Sequence, residues 1–134
     1  PETQVVLPLL ETDLVDIMEA VWEEKLDQLD IRWSDKSCAC VVIASGGYPE
    51  KYETGKEISG LDEKGQSGLA YVYHAGTRLE GGKYYTAGGR VLGVTATGDD
   101  LRQALDKAYK AVESISFEKA HYRRDIGQRA LKAL

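Results

Sequence analysis

The chain predicts an α+β fold: a helix, then several strands, then a second amphipathic helix. Three observations carry this. Apolar residues recur at helical spacing from Leu14 to Leu26, apolar runs punctuated by glycine replace that period after Ser37, and helical spacing returns from Leu101 to Ile115. The change of period places a boundary near Arg32 to Lys36 and divides the chain into residues 1–33 and 34–134.

Thr12-Asp13 supplies the opening of the first helix, and Leu14, Ile17, Met18, Val21, Trp22 and Leu26 follow at steps of 3, 1, 3, 1 and 4. Asp13, Asp16, Glu19, Glu23 and Glu24 lie off most of that stripe. Met18 and Trp22 at this spacing read as core packing, so the helix is assigned no chemistry. Strands are predicted over residues 38–44, 69–74, 83–87 and 90–95, with a possible short one over 56–58. Glu80-Gly81-Gly82 turns a hairpin between the second and third of these. Residues 59–68, polar and glycine-rich, read as a loop. Gly98-Asp99-Asp100 offers an N-cap, and Leu101, Leu105, Ala108, Val112 and Ile115 follow at steps of 4, 3, 4 and 3. Arg102, Lys107, Lys110 and Glu113 make its solvated face.

Composition narrows the function classes. With 134 residues, 43% of them hydrophobic, the chain can build one core. A formal net charge of −5 argues against a general nucleic-acid or membrane-surface binder, whose affinity a basic surface supplies. No apolar run approaches a membrane span, and Pro1-Glu2-Thr3-Gln4 has no leader character, so a cytoplasmic setting is expected. Cys38 and Cys40 point to one face of a strand and read as core thiols, while His74 and His121 show no spacing that completes a zinc set, so no metal is expected.

The most suggestive motif is Gly88-Gly89-Arg90 opening an apolar strand. Paired glycines can adopt φ > 0 and let a ligand approach the main chain, and a guanidinium matches phosphate or carboxylate with two parallel hydrogen bonds. The same residues also suit a plain corner with a solvated arginine. Lys83, seven residues earlier, could reach the same anion or simply be solvated. Tyr48-Pro49, behind Gly46-Gly47, either lines a pocket wall or ends the first strand. His74 reads as a strand-end structural residue. Arg123-Asp125 suggests a clamp for the C-terminal segment, with closure over an anion as the alternative. Phe117 and Tyr122 anchor that tail by packing.

Taken in order, Pro1-Glu2-Thr3-Gln4, Gly46-Gly47-Tyr48-Pro49, His74-Ala75-Gly76-Thr77, Gly88-Gly89-Arg90 and His121-Tyr122-Arg123-Arg124-Asp125-Ile126-Gly127 resemble the C-terminal third of the glycinamide ribonucleotide synthetase (phosphoribosylamine-glycine ligase) family, over essentially the whole chain. The resemblance implies ATP-dependent joining of glycine to 5-phosphoribosylamine in purine biosynthesis. It implies that residues 1–33 are the closing helix of an ATP-grasp domain and residues 34–134 a C-terminal domain built on a small curved, barrel-like sheet with a packing helix. The start at Pro1 reads as a piece of something longer, whose missing ATP-grasp portion would carry ATP and magnesium or manganese; none is expected on this piece, nor activity from it alone. Glu2, Lys83, Gly88, Gly89 and Arg90 are the implied substrate contacts, Glu2 toward an amine and Arg90 toward an anion. An apolar surface left open around residues 12–30 would favour self-association. The competing expectation is a non-catalytic, β-rich interaction module.

Overall fold

The computed structural model describes residues 1–133. Its elements are α1 (Thr3–Val6), α2 (Leu14–Trp22), β1 (Ser37–Ala44), β2 (Tyr71–His74), β3 (Thr77–Glu80), β4 (Lys83–Thr86), β5 (Arg90–Gly98), α3 (Leu101–Ser114) and α4 (Gln128–Leu131), with single 3₁₀ turns at Leu7–Leu9 and Leu26–Gln28. The architecture is α+β with antiparallel sheets. In place of one barrel-like sheet, the strands divide into a three-stranded sheet, ordered β1-β5-β2, and a separate β3-β4 hairpin.

Strand β5 is central because it is apolar nearly throughout. Seven of its nine residues are buried, as expected for a strand with partners on both edges. Val41 lies opposite Val94, Ile43 opposite Leu92, and Val72 opposite Val94, so these side chains share one face of the sheet. Helix α3 covers that face with Ala104, Leu105, Ala108, Ala111 and Val112, all buried. Its start is fixed by Asp100, whose side chain accepts from Gln103 N at 2.8 Å.

Four differences from the sequence reading have physical causes. Strand β3, absent from the expectation, has only Thr77 partly buried and shows no apolar alternation, so only its pairing reveals it. The glycine turn therefore joins β3 to β4, not β2 to β4; Gly81 and Gly82 take φ of 56° and 78°, the paired positive values of a tight hairpin. The 56–58 stretch forms a single bridge, Glu57 to Tyr85, rather than a strand. The stripe of α2 is not core: Met18 is 59% and Trp22 88% exposed, and Ala20 is the buried residue of the helix.

The 59–70 loop is held by side chains. The Gln66 amide donates to Val72 O at 2.9 Å and accepts from Val72 N at 2.8 Å, supplying the partner that the outer edge of β2 lacks. His74 Nε2 lies 2.7 Å from Gly65 O and Nδ1 lies 2.9 Å from Thr77 Oγ1, a structural role. Phe117 enters the core and Tyr122 packs against it, as expected of the tail anchors.

The Arg123–Asp125 clamp is corrected. The pair is local and exposed, with side chains 73% and 64% accessible, and the hydrogen bonds of the Arg123 guanidinium go to Asp125 and not to a strand. Tyr109 holds the segment instead: its hydroxyl donates to Arg123 O at 2.8 Å and accepts from Ile126 N at 3.2 Å. His121 adds two backbone bonds to Ala44, at 2.9 and 3.0 Å.

Candidate functional site

The sheet face turned away from α3 carries Cys38, Cys40, Val42, Tyr71, Tyr73, Gly93 and Thr95, by their register. The N-terminal segment crosses it, with Gln4 O accepting from Cys38 Sγ at 4.0 Å. Burial pushes both thiols above the ordinary range, which suits packed residues and not nucleophiles.

At the entrance of β5 the Gly88-Gly89-Arg90 corner is locked by its carbonyls. Ser45 Oγ donates to Gly88 O at 2.7 Å, Ser45 N to Gly89 O at 2.8 Å, and Gly76 N to Arg90 O at 2.9 Å. Neither Gly88 nor Gly89 takes a positive φ, contrary to expectation. Glycine is required there by close approach: a Cβ on Gly88 would meet Gly76 Cα at 3.1 Å, and one on Gly89 would collide with the Tyr48 ring. The N–H groups of Gly88 and Gly89 find no acceptor among the described residues. Gly88 is half-buried and Gly89 buried, so the corner is a packed one and does not present its backbone donors openly, as the motif suggested it could.

Two adjoining clefts open on this face and share Pro1, Val42, Tyr48 and Arg90. One, of about 380 Å³, adds Gln4, Tyr73, His74 and Gly89. The other, of about 280 Å³, adds Cys40, Ala44, His121, Tyr122, Arg123 and Ile126. Arg90 is exposed and has no carboxylate partner among the described residues. Tyr48 lines both clefts. A larger hollow of about 510 Å³, by Pro8, Tyr71, Thr97 and Lys107, lies apart from Arg90, and its one cation is already bonded to Thr97 O at 3.2 Å.

The expected site residues separate. Gly88, Gly89 and Arg90 form one corner. Glu2 stands 94% exposed; its carboxyl is held below the ordinary range first by a backbone hydrogen bond, with a smaller contribution from the charge of Arg90. Lys83 is not brought to them. It opens β4 at the hairpin tip, opposite Glu80, and its ammonium pairs with Glu57 at 2.9 Å. Tyr73, Gln4 and His121 line the clefts without having been singled out as contacts, and Arg123, for which closure over an anion is the alternative reading, lines the smaller one. For Tyr73, alternation along β2 was the available signal. Among the described residues no three His, Cys, Asp or Glu side chains gather as a metal set.

The model for the phosphoribosylglycinamide synthetase C domain matches residues 38–129. The chain belongs to that family. The synthetase C-domain relatives include phosphoribosylamine--glycine ligases of Caldanaerobacter subterraneus, 51% identical over 94% of this chain and 30% of the relative, and of Synechocystis, 52% identical over 98% and 31%. A trifunctional purine biosynthetic protein, adenosine-3, of Gallus gallus is 49% identical over 100% of this chain and 13% of its own length. The crystal structure of the Thermotoga maritima phosphoribosylamine--glycine ligase matches with a TM-score of 0.71 at 31% identity, covering 93% of this chain and 30% of that one. The chain thus spans under a third of the length of these relatives. Among the described residues no helix is long and apolar enough to cross a membrane.

Proposed function

We propose that this chain is the C-terminal part of a cytoplasmic phosphoribosylamine–glycine ligase of purine biosynthesis and that it contributes substrate contacts without catalysing the reaction alone. Near 50% identity over almost the whole chain to relatives bearing that name supports the reading. In the reaction the glycine carboxylate takes the γ-phosphoryl group of ATP, forming glycyl phosphate and ADP. The amine of 5-phosphoribosylamine then attacks the acyl carbon, loses a proton and expels inorganic phosphate. ATP and magnesium or manganese belong to the portion of the ligase outside residues 1–134.

The observation that carries the role of this chain is Arg90, an exposed guanidinium with no carboxylate in salt-bridge reach among the described residues, on the lining of both adjoining clefts. A guanidinium so placed can meet a phosphate or carboxylate with two parallel hydrogen bonds. Glu2, outside the lining of both clefts but next to Pro1, which lines them, is the group assigned to accept a hydrogen bond from the substrate amine. Residues 1–33 are the end of the ATP-grasp domain, and residues 34–134 are the separate C-terminal domain. The exposed face of α2 packs against the ATP-grasp portion. The test is ADP release by the parent polypeptide. Release that needs both glycine and phosphoribosylamine, with none from the isolated 134-residue chain, supports the proposal; a parent inert to both substrates overturns it.

A further inference from the structure

Resting on the ligase reading, we propose that the smaller cleft is the seat of the substrate's phosphate monoester, with Arg123 as the second arm of a cradle whose first arm is Arg90. Arg90, Arg123 and His121 all line this one cleft, and no Asp or Glu does. That is a concentrated positive wall in a chain of net charge −5. At about 280 Å³ the space lies near the lower end, ~300 Å³, of ordinary small-molecule sites and fits a phosphate with part of a sugar, not a nucleotide. Cys40, Val42 and Ala44 give it an apolar floor, which strengthens charge-assisted hydrogen bonds above it.

The arms are well held. Tyr109 Oη fixes the Arg123 carbonyl at 2.8 Å, and two backbone bonds to Ala44 fix His121. Arg123 spends Nε and Nη2 on Asp125, at 2.9 and 2.7 Å, and keeps its Nη1 edge for a ligand. Arg124 is turned away, its guanidinium 4.8 Å above the Tyr122 ring, so of this adjacent pair Arg123 is the one in the cleft. The adjoining larger cleft offers Gln4, Tyr73 and Gly89, uncharged groups suited to the ribosyl end and its amine.

The test uses the parent ligase with Arg123→Gln and Asp125→Asn. As a phosphate contact, Arg123→Gln raises the KM for phosphoribosylamine about ten-fold while the KM values for ATP and glycine hold. Asp125→Asn, which removes the anion competing for the same guanidinium, does not raise it. If the pair is only a structural link, both variants break it and both shift KM in the same direction, which overturns the proposal. Ribose 5-phosphate supplies a second readout: it competes with phosphoribosylamine in the wild type, ribose does not, and the competition weakens in Arg123→Gln. A rise in KM for Arg90→Gln with Arg123→Gln unchanged removes the phosphate seat and leaves the ligase reading standing; no rise for either removes the substrate role from this face.

Discussion

The Tyr48 ring rests on Gly89. A Cβ at that position would lie 2.7 Å from Tyr48 Cε2 and 3.1 Å from Tyr52 Cε1, inside the limit for carbon contacts. Tyr48 lines both clefts and Gly89 precedes Arg90, so this contact joins the lining of the site to the backbone that carries its cation. Gly89→Ala therefore displaces the ring. The expected outcome is a loss of about 1–3 kcal/mol in denaturant unfolding, as for other overpacked sites, together with a raised substrate requirement. Full stability with unaltered kinetics would show that the ring moves aside freely.

The exposed stripe of α2 makes a prediction about association. Trp22 is 88% exposed and Met18 and Val15 are each 59%, an apolar face with no partner among the described residues. Sedimentation of the isolated chain is expected to show concentration-dependent self-association, and Trp22→Glu is expected to suppress it while shifting the thermal midpoint little. A monodisperse wild-type chain over a wide concentration range would contradict this.

Asp100 is expected to matter more than any exposed ion pair. Its carboxylate accepts from Gln103 N at 2.8 Å, at the start of the helix that covers the core. Asp100→Ala should cost about 0.5–2 kcal/mol in chemical denaturation, whereas removal of an exposed pair such as Arg123–Asp125 should cost at most about 1 kcal/mol. The reverse ranking would mean that α3 is held by packing alone.

The thiols give a pH dependence. Burial raises Cys40 and Cys38 above their ordinary value of 9.0, so the folded state disfavours the thiolate. Below that value both folded and unfolded chains carry neutral thiols, and the contribution is fully present. As pH climbs past it the unfolded chain ionises first, and stability falls. Thiol modification should accordingly be slow near neutral pH and should accelerate on unfolding. Rapid modification of Cys40 in the folded chain at pH 7 would contradict its burial.

The main elements were legible where one interaction dominates. Helix α3 followed from Leu105, Ala108 and Val112, since a single face meets a single sheet, and β5 followed from its apolar run. Strand β3 was not legible, because Thr77-Arg78-Leu79-Glu80 is mostly exposed and acquires its strand only by pairing with β4. The stripe of α2 showed the opposite failure: its period is right, but what buries it is not in residues 1–133. For the site, the corner at Gly88-Gly89-Arg90 was visible as a motif, while its cause was not. No local pattern tells that Gly89 is glycine because Tyr48, 41 positions earlier, lies against it. Lys83 and Arg90 are near in sequence yet apart in space, because the β3-β4 hairpin carries Lys83 to its tip.

The most direct test of a substrate role for this face is steady-state kinetics of the parent ligase with Arg90→Gln, after both proteins are shown to be folded. Loss of a charge-assisted contact of about 1.5–3 kcal/mol predicts a KM for phosphoribosylamine raised by about ten-fold or more, with ATP and glycine requirements unchanged. Unchanged kinetics would reduce Gly88-Gly89-Arg90 to a packed corner and would contradict that role.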